Sequence, residues 1–209
     1  MSPQLSLFII VVVIVVGWFA AGTHLNVRKG HDALRWLQDG LPIVGEKTTL
    51  RWLGSSAVEL KVPEAKAPFR TAEVLVVLEP RDVPLIWWFS RIRGRRDLLI
   101  FRANLQHRPH HEFEVLDPTS WLGRPAEARA RREQWAKVSA PAPLVAYSSR
   151  NNSDPTPLTT AATIDGCPLM LLSAHRVEPN LELQWRLADL KRHSSRAVFD
   201  AARRVAELL

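Results

Sequence analysis

A chain of 209 residues with 15 Pro, 8 Trp and an ordinary apolar fraction accommodates one domain plus an anchor, which excludes global disorder and a second independent core. The formal charge of +7, carried mostly by arginine, suits contact with anionic lipid, nucleic acid or an acidic protein face. Cys167 is the single cysteine, so no intrachain disulfide forms and nothing marks a design for an oxidising compartment, which favours the cytoplasm for the soluble part.

From Leu5 to Gly22 the chain reads LSLFIIVVVIVVGWFAAG, without a charged residue. At 1.5 Å per residue a helix of this length spans about 27 Å, close to the hydrocarbon thickness of a bilayer. Its strongly apolar residues contribute about −0.3 to −0.6 kcal/mol each to insertion and outweigh Ser6 and Gly17. A cleaved signal peptide is the rival reading, since Ala20, Ala21 and Gly22 are small; the preceding MSPQ, however, lacks the Lys or Arg of a signal n-region. A transmembrane helix over about 5–22, within an anchor of residues 1–26, is therefore expected. Arg28, Lys29 and Arg35 follow the apolar run and no basic side chain precedes it, so the N-terminus should lie outside and the domain in the cytoplasm.

Residues 27–39, VRKGHDALRWLQD, have helical apolar spacing and stop at Gly40 and Pro42; residues 27–47 are expected to be a short juxtamembrane helix and linker. The soluble domain, 48–209, opens with alternation at Leu50 and Trp52 and then at Val58, Leu60 and Val62 around Gly54, the pattern of a β-hairpin. AEVLVVL at 72–78 is continuously apolar and predicts a central strand covered on both faces. Residues 97–105 and 112–116 predict an antiparallel pair across the turn QHRPHH. PAEARARREQWAK at 125–137 starts with Pro and continues with strong helix formers, so a charged surface helix is expected.

The polar loop SSRNNSDPTP, 148–157, interrupts the pattern. Asp165 and Gly166 then predict a hairpin between TTAATI and CPLMLLSA, and Leu181, Leu183, Trp185 and Leu187 alternate with polar residues as a half-buried strand. Val198, Phe199, Ala202, Val205, Ala206 and Leu209 recur at helical spacing after Ser194 and Ser195, predicting a C-terminal amphipathic helix. Roughly eight strands with few helices give an α+β class with a mainly antiparallel sheet. A curved sheet or small barrel closed by the last helix, in the manner of pleckstrin-homology-like domains, is compatible with this element order.

The most unusual local chemistry is PLIWWFSRIRGRR, 84–96, where Trp87, Trp88 and Phe89 precede Arg91, Arg93, Arg95 and Arg96 with no intervening acid. Aromatic rings favour the headgroup region, and each basic side chain near an anionic leaflet adds about 1 kcal/mol. These seven residues are the candidates for binding the lipid bilayer, anionic lipid or another subunit of a membrane complex; the plainer alternative is a connection whose aromatics enter the core and whose arginines are solvated or pair with Glu79, Asp82 and Asp97. Nucleic acid is not an expected partner, because no helix-turn-helix, zinc-finger or oligonucleotide-binding motif accompanies the arginines.

His107, His110 and His111 form the one histidine cluster, but Pro109 splits it within a turn and the spacing is not that of a helix-borne metal site; no metal or other cofactor is expected. Neither GxSxG nor a phosphate-binding glycine loop is present. The expectation is a membrane-anchored binding protein. A membrane-tethered enzyme is the rival, requiring the loop 148–157 or the histidine turn to overhang a pocket.

Overall fold

The computed structural model describes residues 2–151 and 153–209. Helix α1 (Pro3–Gln38) starts at Ser2, whose side chain accepts from the Leu5 amide, with Pro3 in the first turn. Its N-terminal half is exposed and is long and apolar enough to cross a membrane. Residues 27–39, expected as a short helix of their own, continue α1 without a break. Their buried positions, Gly30, Ala33, Leu34 and Leu37, extend the stripe begun at Gly22 and Asn26, so the second half of α1 belongs to the domain's core.

After the short α2 (Leu41–Val44), strands β1 (Thr49–Trp52), β2 (Ala57–Val62) and β3 (Phe69–Val77) form an antiparallel meander, with Gly54 supplying a positive φ in the β1–β2 turn. Helix α3 (Pro84–Ile92) follows, then β4 (Leu98–Leu105), β5 (Phe113–Leu116), α4 (Gly123–Arg132), β6 (Ala136–Val138), β7 (Val145–Ser148), α5 (Thr156–Ala162), β8 (Leu169–Ala174), β9 (Leu181–Arg186), α6 (Leu187–Leu190) and α7 (Ser195–Glu207). Among the described residues nine strands make one antiparallel sheet in the order β1-β2-β3-β4-β9-β8-β5-β7-β6. The α+β class is therefore observed. The sheet is open, with β1 and β6 as its edges, so it is not the closed barrel that the element order allowed.

One face of the sheet carries the main core. Val74 and Val76 of β3, Leu99 and Phe101 of β4, and Leu183 and Trp185 of β9 point towards α1, α5 and α7. Phe101 meets Phe69 and Phe199 edge-on at 5.4 and 6.2 Å between centroids. The expected terminal helix is α7: Ser194 caps it through the Arg196 amide, and Val198, Phe199, Ala202 and Val205 are buried. A second, smaller core on the opposite face joins Ala126 and Ala130 of α4 to Leu116, Tyr147 and Leu171.

Four further expectations are corrected. Residues 97–105 and 112–116 do not pair with each other: β4 is flanked on both sides by β3 and β9, which leaves it no edge, and β5 inserts between β7 and β8. β3 alternates, burying Ala72, Val74 and Val76 on one face only. The segment TTAATI is mostly helical, because Leu158, Ala161 and Ala162 pack beside α7 and the hydroxyls of Thr159 and Thr163 donate back to the helix carbonyls of Thr156 and Thr159. Of its expected hairpin only the Ile164–Cys167 bridge across Gly166 remains. Helix α4 ends at Arg132, where Gln134 at φ 58° turns the chain into β6, a strand the helix-forming composition of 125–137 concealed.

Candidate membrane-facing site

The chain leaves β3 through residues 78–83 and enters α3 with Pro84 in its first turn, where a missing N–H and a fixed φ are no handicap. With 3.6 residues per turn, Leu85, Trp88, Phe89 and Ile92 fall on one face and Trp87, Ser90 and Arg91 on the other. The first face is bare: Trp88 is 60 % and Ile92 69 % exposed, and Leu85, Ile86 and Phe89 are also more than half exposed. Ser90, on the second face, is buried against the domain.

The inward face is held by one carboxylate. Glu79, itself buried, accepts from Trp87 Nε1 at 2.8 Å and pairs with Arg91 Nη1 at 3.4 Å, while the Arg91 guanidinium lies 5.6 Å from the centre of the Trp87 ring. Arg81 bridges Glu79 at 3.7 Å and Asp97 at 2.9 Å, and Lys29 of α1 reaches Asp97 at 3.1 Å. Burial acts to raise the Asp97 carboxyl, but hydrogen bonds from Arg81 and the Glu79 amide, with the charges of Arg81 and Lys29, hold it below the ordinary carboxylate value.

The same segment fastens α1. Trp18 Nε1 donates to the Arg81 carbonyl at 2.9 Å, and buried Asn26 donates to the Glu79 carbonyl at 3.1 Å and accepts from Arg81 at 3.1 Å. Gly22 makes the approach possible, since a Cβ there would lie 2.3 Å from the Arg81 carbonyl oxygen. Trp18 ends the aliphatic run of α1 and stands 6.1 Å from Trp87 between ring centroids. The bare face of α3 is therefore fixed beside the end of the exposed, apolar part of α1.

Of the seven residues singled out from the sequence, Trp87, Trp88, Phe89 and Arg91 lie on α3, Arg93 ends it, and Arg95 and Arg96 lie in the connection to β4. Trp87 is half-buried; Trp88 and Phe89 are exposed. Arg91 is bound to Glu79, Arg93 caps the helix, Arg95 stacks over Trp121 at 4.3 Å, and Arg96 donates to the carbonyls of Arg91 and Arg95 at 3.1 and 2.7 Å. Of the flanking acids, Glu79 pairs with the stretch, whereas Asp97 serves Arg81 and Lys29, and Asp82 accepts from Ser55 at 2.6 Å. The sequence reading missed Leu85, Ile86 and Ile92, although the spacing of Leu85, Trp88, Phe89 and Ile92 after a proline is the mark of an amphipathic helix.

His107 and His110 are exposed, and the His110 amide donates to the Leu209 carbonyl. His110 and His111 line a depression with Phe113, Arg150 and Arg176. Among the described residues no group of three or more His, Cys, Asp or Glu side chains is placed to hold a metal ion. Comparison with models of protein families and with curated protein sequences finds no match to this chain.

Proposed function

We propose that this chain is a single-pass membrane protein whose cytoplasmic domain binds the surface of the bilayer that anchors it. In this reading α1 crosses through residues 5–22 with its N-terminus outside, and α3 lies in the interface with Leu85, Trp88, Phe89 and Ile92 towards the lipid. The observation that carries it is the contact of Trp18 with Trp87, which sets the bare face of α3 level with the end of the apolar run. Full transfer from water of a side chain of this size gains about 1.5–3 kcal/mol, and more than half of that gain is still unrealised at each of these residues. Interfacial Trp and Phe beside basic residues are the composition of a helix lying in the membrane plane. Arg91, Arg95 and Arg96 already have partners within the domain, so apolar burial dominates and anionic headgroups add to it.

The test is depth measurement on the full chain in lipid nanodiscs, with nitroxide labels on Trp88→Cys, Phe89→Cys and Ile92→Cys and, as a water-exposed reference, on Glu133→Cys. Collisions favouring oxygen over a polar nickel chelate at the three α3 positions, but not at the reference, are expected. Water-like accessibility at all three would overturn the reading.

A further inference from the structure

The second face of the sheet is only half covered. Beyond α4 it opens into a cavity of about 960 Å³ over β2, β3, β4, β9 and β8, rimmed by residues 177–179. This lies at the end of the sheet away from α3: it is reached from Thr71 and Glu73 in the first half of β3 and from Arg102 and Asn104 in the second half of β4, whereas α3 joins their opposite ends. The volume suits a small ligand.

Its end wall is built on a carboxylate with no exposure at all. Glu114 accepts from Ser173 Oγ and pairs with Arg129 at 3.3 Å, and its other contact is with His175 Nε2 at 3.0 Å, a nitrogen that also lies 3.2 Å from Arg129 Nη1. This carboxylate brings Arg129 and His175 together at the wall. The Lys and Arg side chains that line the cavity each have a carboxylate partner. Arg129 serves Glu114, Arg102 is shared between Glu182 at 2.7 Å and Glu73 at 3.9 Å, and Lys61 pairs with Glu59 at 3.4 Å. Glu112 and Glu133 line the same cavity with no Lys or Arg side chain paired to either among the described residues; Glu112 accepts from the Arg176 amide at 3.0 Å and lies 4.0 Å from His175 Nδ1. A separate sign of missing donors lies one hydrogen bond from the wall: Gln184 donates its amide to Glu182, and its own buried amide oxygen has no donor. The cavity thus has acceptors and negative charge in excess, within a chain of net charge +7.

We infer that this cavity binds a ligand bearing ammonium or guanidinium groups. The acceptors are spread along the wall, and no three ligating side chains converge among the described residues, so an extended organic cation that donates at several points fits better than a metal ion. A free polyamine and a Lys or Arg side chain of a peptide share that chemistry.

Calorimetric titration of the full chain in nanodiscs of zwitterionic lipid, with spermidine in one arm and tri-arginine in the other, tests this without involving α3. Saturable binding in at least one arm is expected, weakened at least about tenfold, or 1.4 kcal/mol, in E112Q/E133Q and unchanged in D200N, which removes an exposed charge away from the cavity. Tighter spermidine binding assigns a free small cation; tighter tri-arginine binding assigns a peptide side chain. Absence of saturable binding in both arms up to about 1 mM, a limit of roughly −4 kcal/mol, overturns the inference, as does native-like binding by a folded E112Q/E133Q variant.

Discussion

The indole of Trp18 in α1 stands 6.1 Å from that of Trp87 in α3, and its Nε1 donates to the Arg81 carbonyl in the segment between them. The apolar half of α1 and the domain therefore meet as packed surfaces, not as two bodies on a flexible tether. Gly22, one turn further along α1, sets how closely they meet.

Gly22→Ala should displace the Arg81 backbone, because the added methyl would sit 2.3 Å from the carbonyl oxygen and 2.6 Å from the Asp82 Cα, atoms that cannot rotate away. A loss of about 1–3 kcal/mol is expected, as for other overpacked sites. Gly17→Ala meets nothing within 4 Å and should be neutral or slightly stabilising through helix propensity. Thermal unfolding of the two variants in the same detergent, followed by circular dichroism, separates these outcomes.

Asn26→Leu should be more harmful than its apolar character suggests. The amide is wholly buried and answers two groups at once, the Glu79 carbonyl and the Arg81 guanidinium, both of which the leucine would leave without it. Each buried group deprived of its partner costs about 1–3 kcal/mol. Denaturant titration in mild detergent should show a clear fall in midpoint, whereas Leu25→Ala, on the exposed side of the same turn, should leave it nearly unchanged.

How much of this was legible follows from the range of each signal. Elements whose cues are local were readable: the aliphatic run of α1, the Gly54 hairpin, the alternation of β9, and the period of α7 after Ser194. Pairings across the sheet were not, because β4 finds β9 at Arg102–Glu182 and β5 finds β8 at Glu114–Ser173, partners that no turn joins. The seven residues of the Trp-Arg stretch stood out by composition. Their helical arrangement was also present in the positions of Leu85 and Ile92 and was overlooked in favour of the charges. The cavity left no trace in the sequence, since Glu114, Arg129 and His175 come from β5, α4 and the end of β8 and are ordinary until the sheet assembles them.

Asp97 ties stability to acid. Its carboxyl is held below the ordinary 3.8, burial being outweighed by Arg81, the Glu79 amide and Lys29. A depressed folded value contributes stability that is complete above the unfolded value of about 3.9 and fades as pH falls through the folded one. Melting temperature at constant ionic strength should thus drop below about pH 4 in the native chain. Asp97→Asn should be less stable at neutral pH, by about 1–3 kcal/mol, with a shallower acid limb. An unchanged limb would mean that other carboxylates carry the acid response.

Cys167 should resist alkylation. Burial pushes its thiol up, the nearby Asp189 charge adds to that, and the Arg192 charge opposes both without reversing the direction, so little thiolate forms near neutral pH. Iodoacetamide at pH 8 should leave the native chain unlabelled over a period that fully modifies it in denaturant, as read by intact mass. The labels placed on α3 then report that helix alone.

Glu114 separates a structural carboxylate from a dispensable one. Glu114→Ala removes the acceptor of Ser173 and the contact with His175 and leaves the half-exposed Arg129 without its counter-charge. Arg129 is 42 % exposed and can be rehydrated, so the main loss is the acceptor of buried Ser173, about 1–3 kcal/mol, and this variant should unfold at lower denaturant concentration than the native chain. Arg129→Met together with Glu114→Leu removes both charges and puts apolar volume over Leu116 and Leu171, which already belong to the small core on this face. That pair should recover much of the loss, because desolvation no longer has to be offset. Recovery would show that the ion pair is kept for what it positions in the cavity, since stability alone can be met without it; failure to recover would make Glu114 a determinant of the β5–β8 register itself.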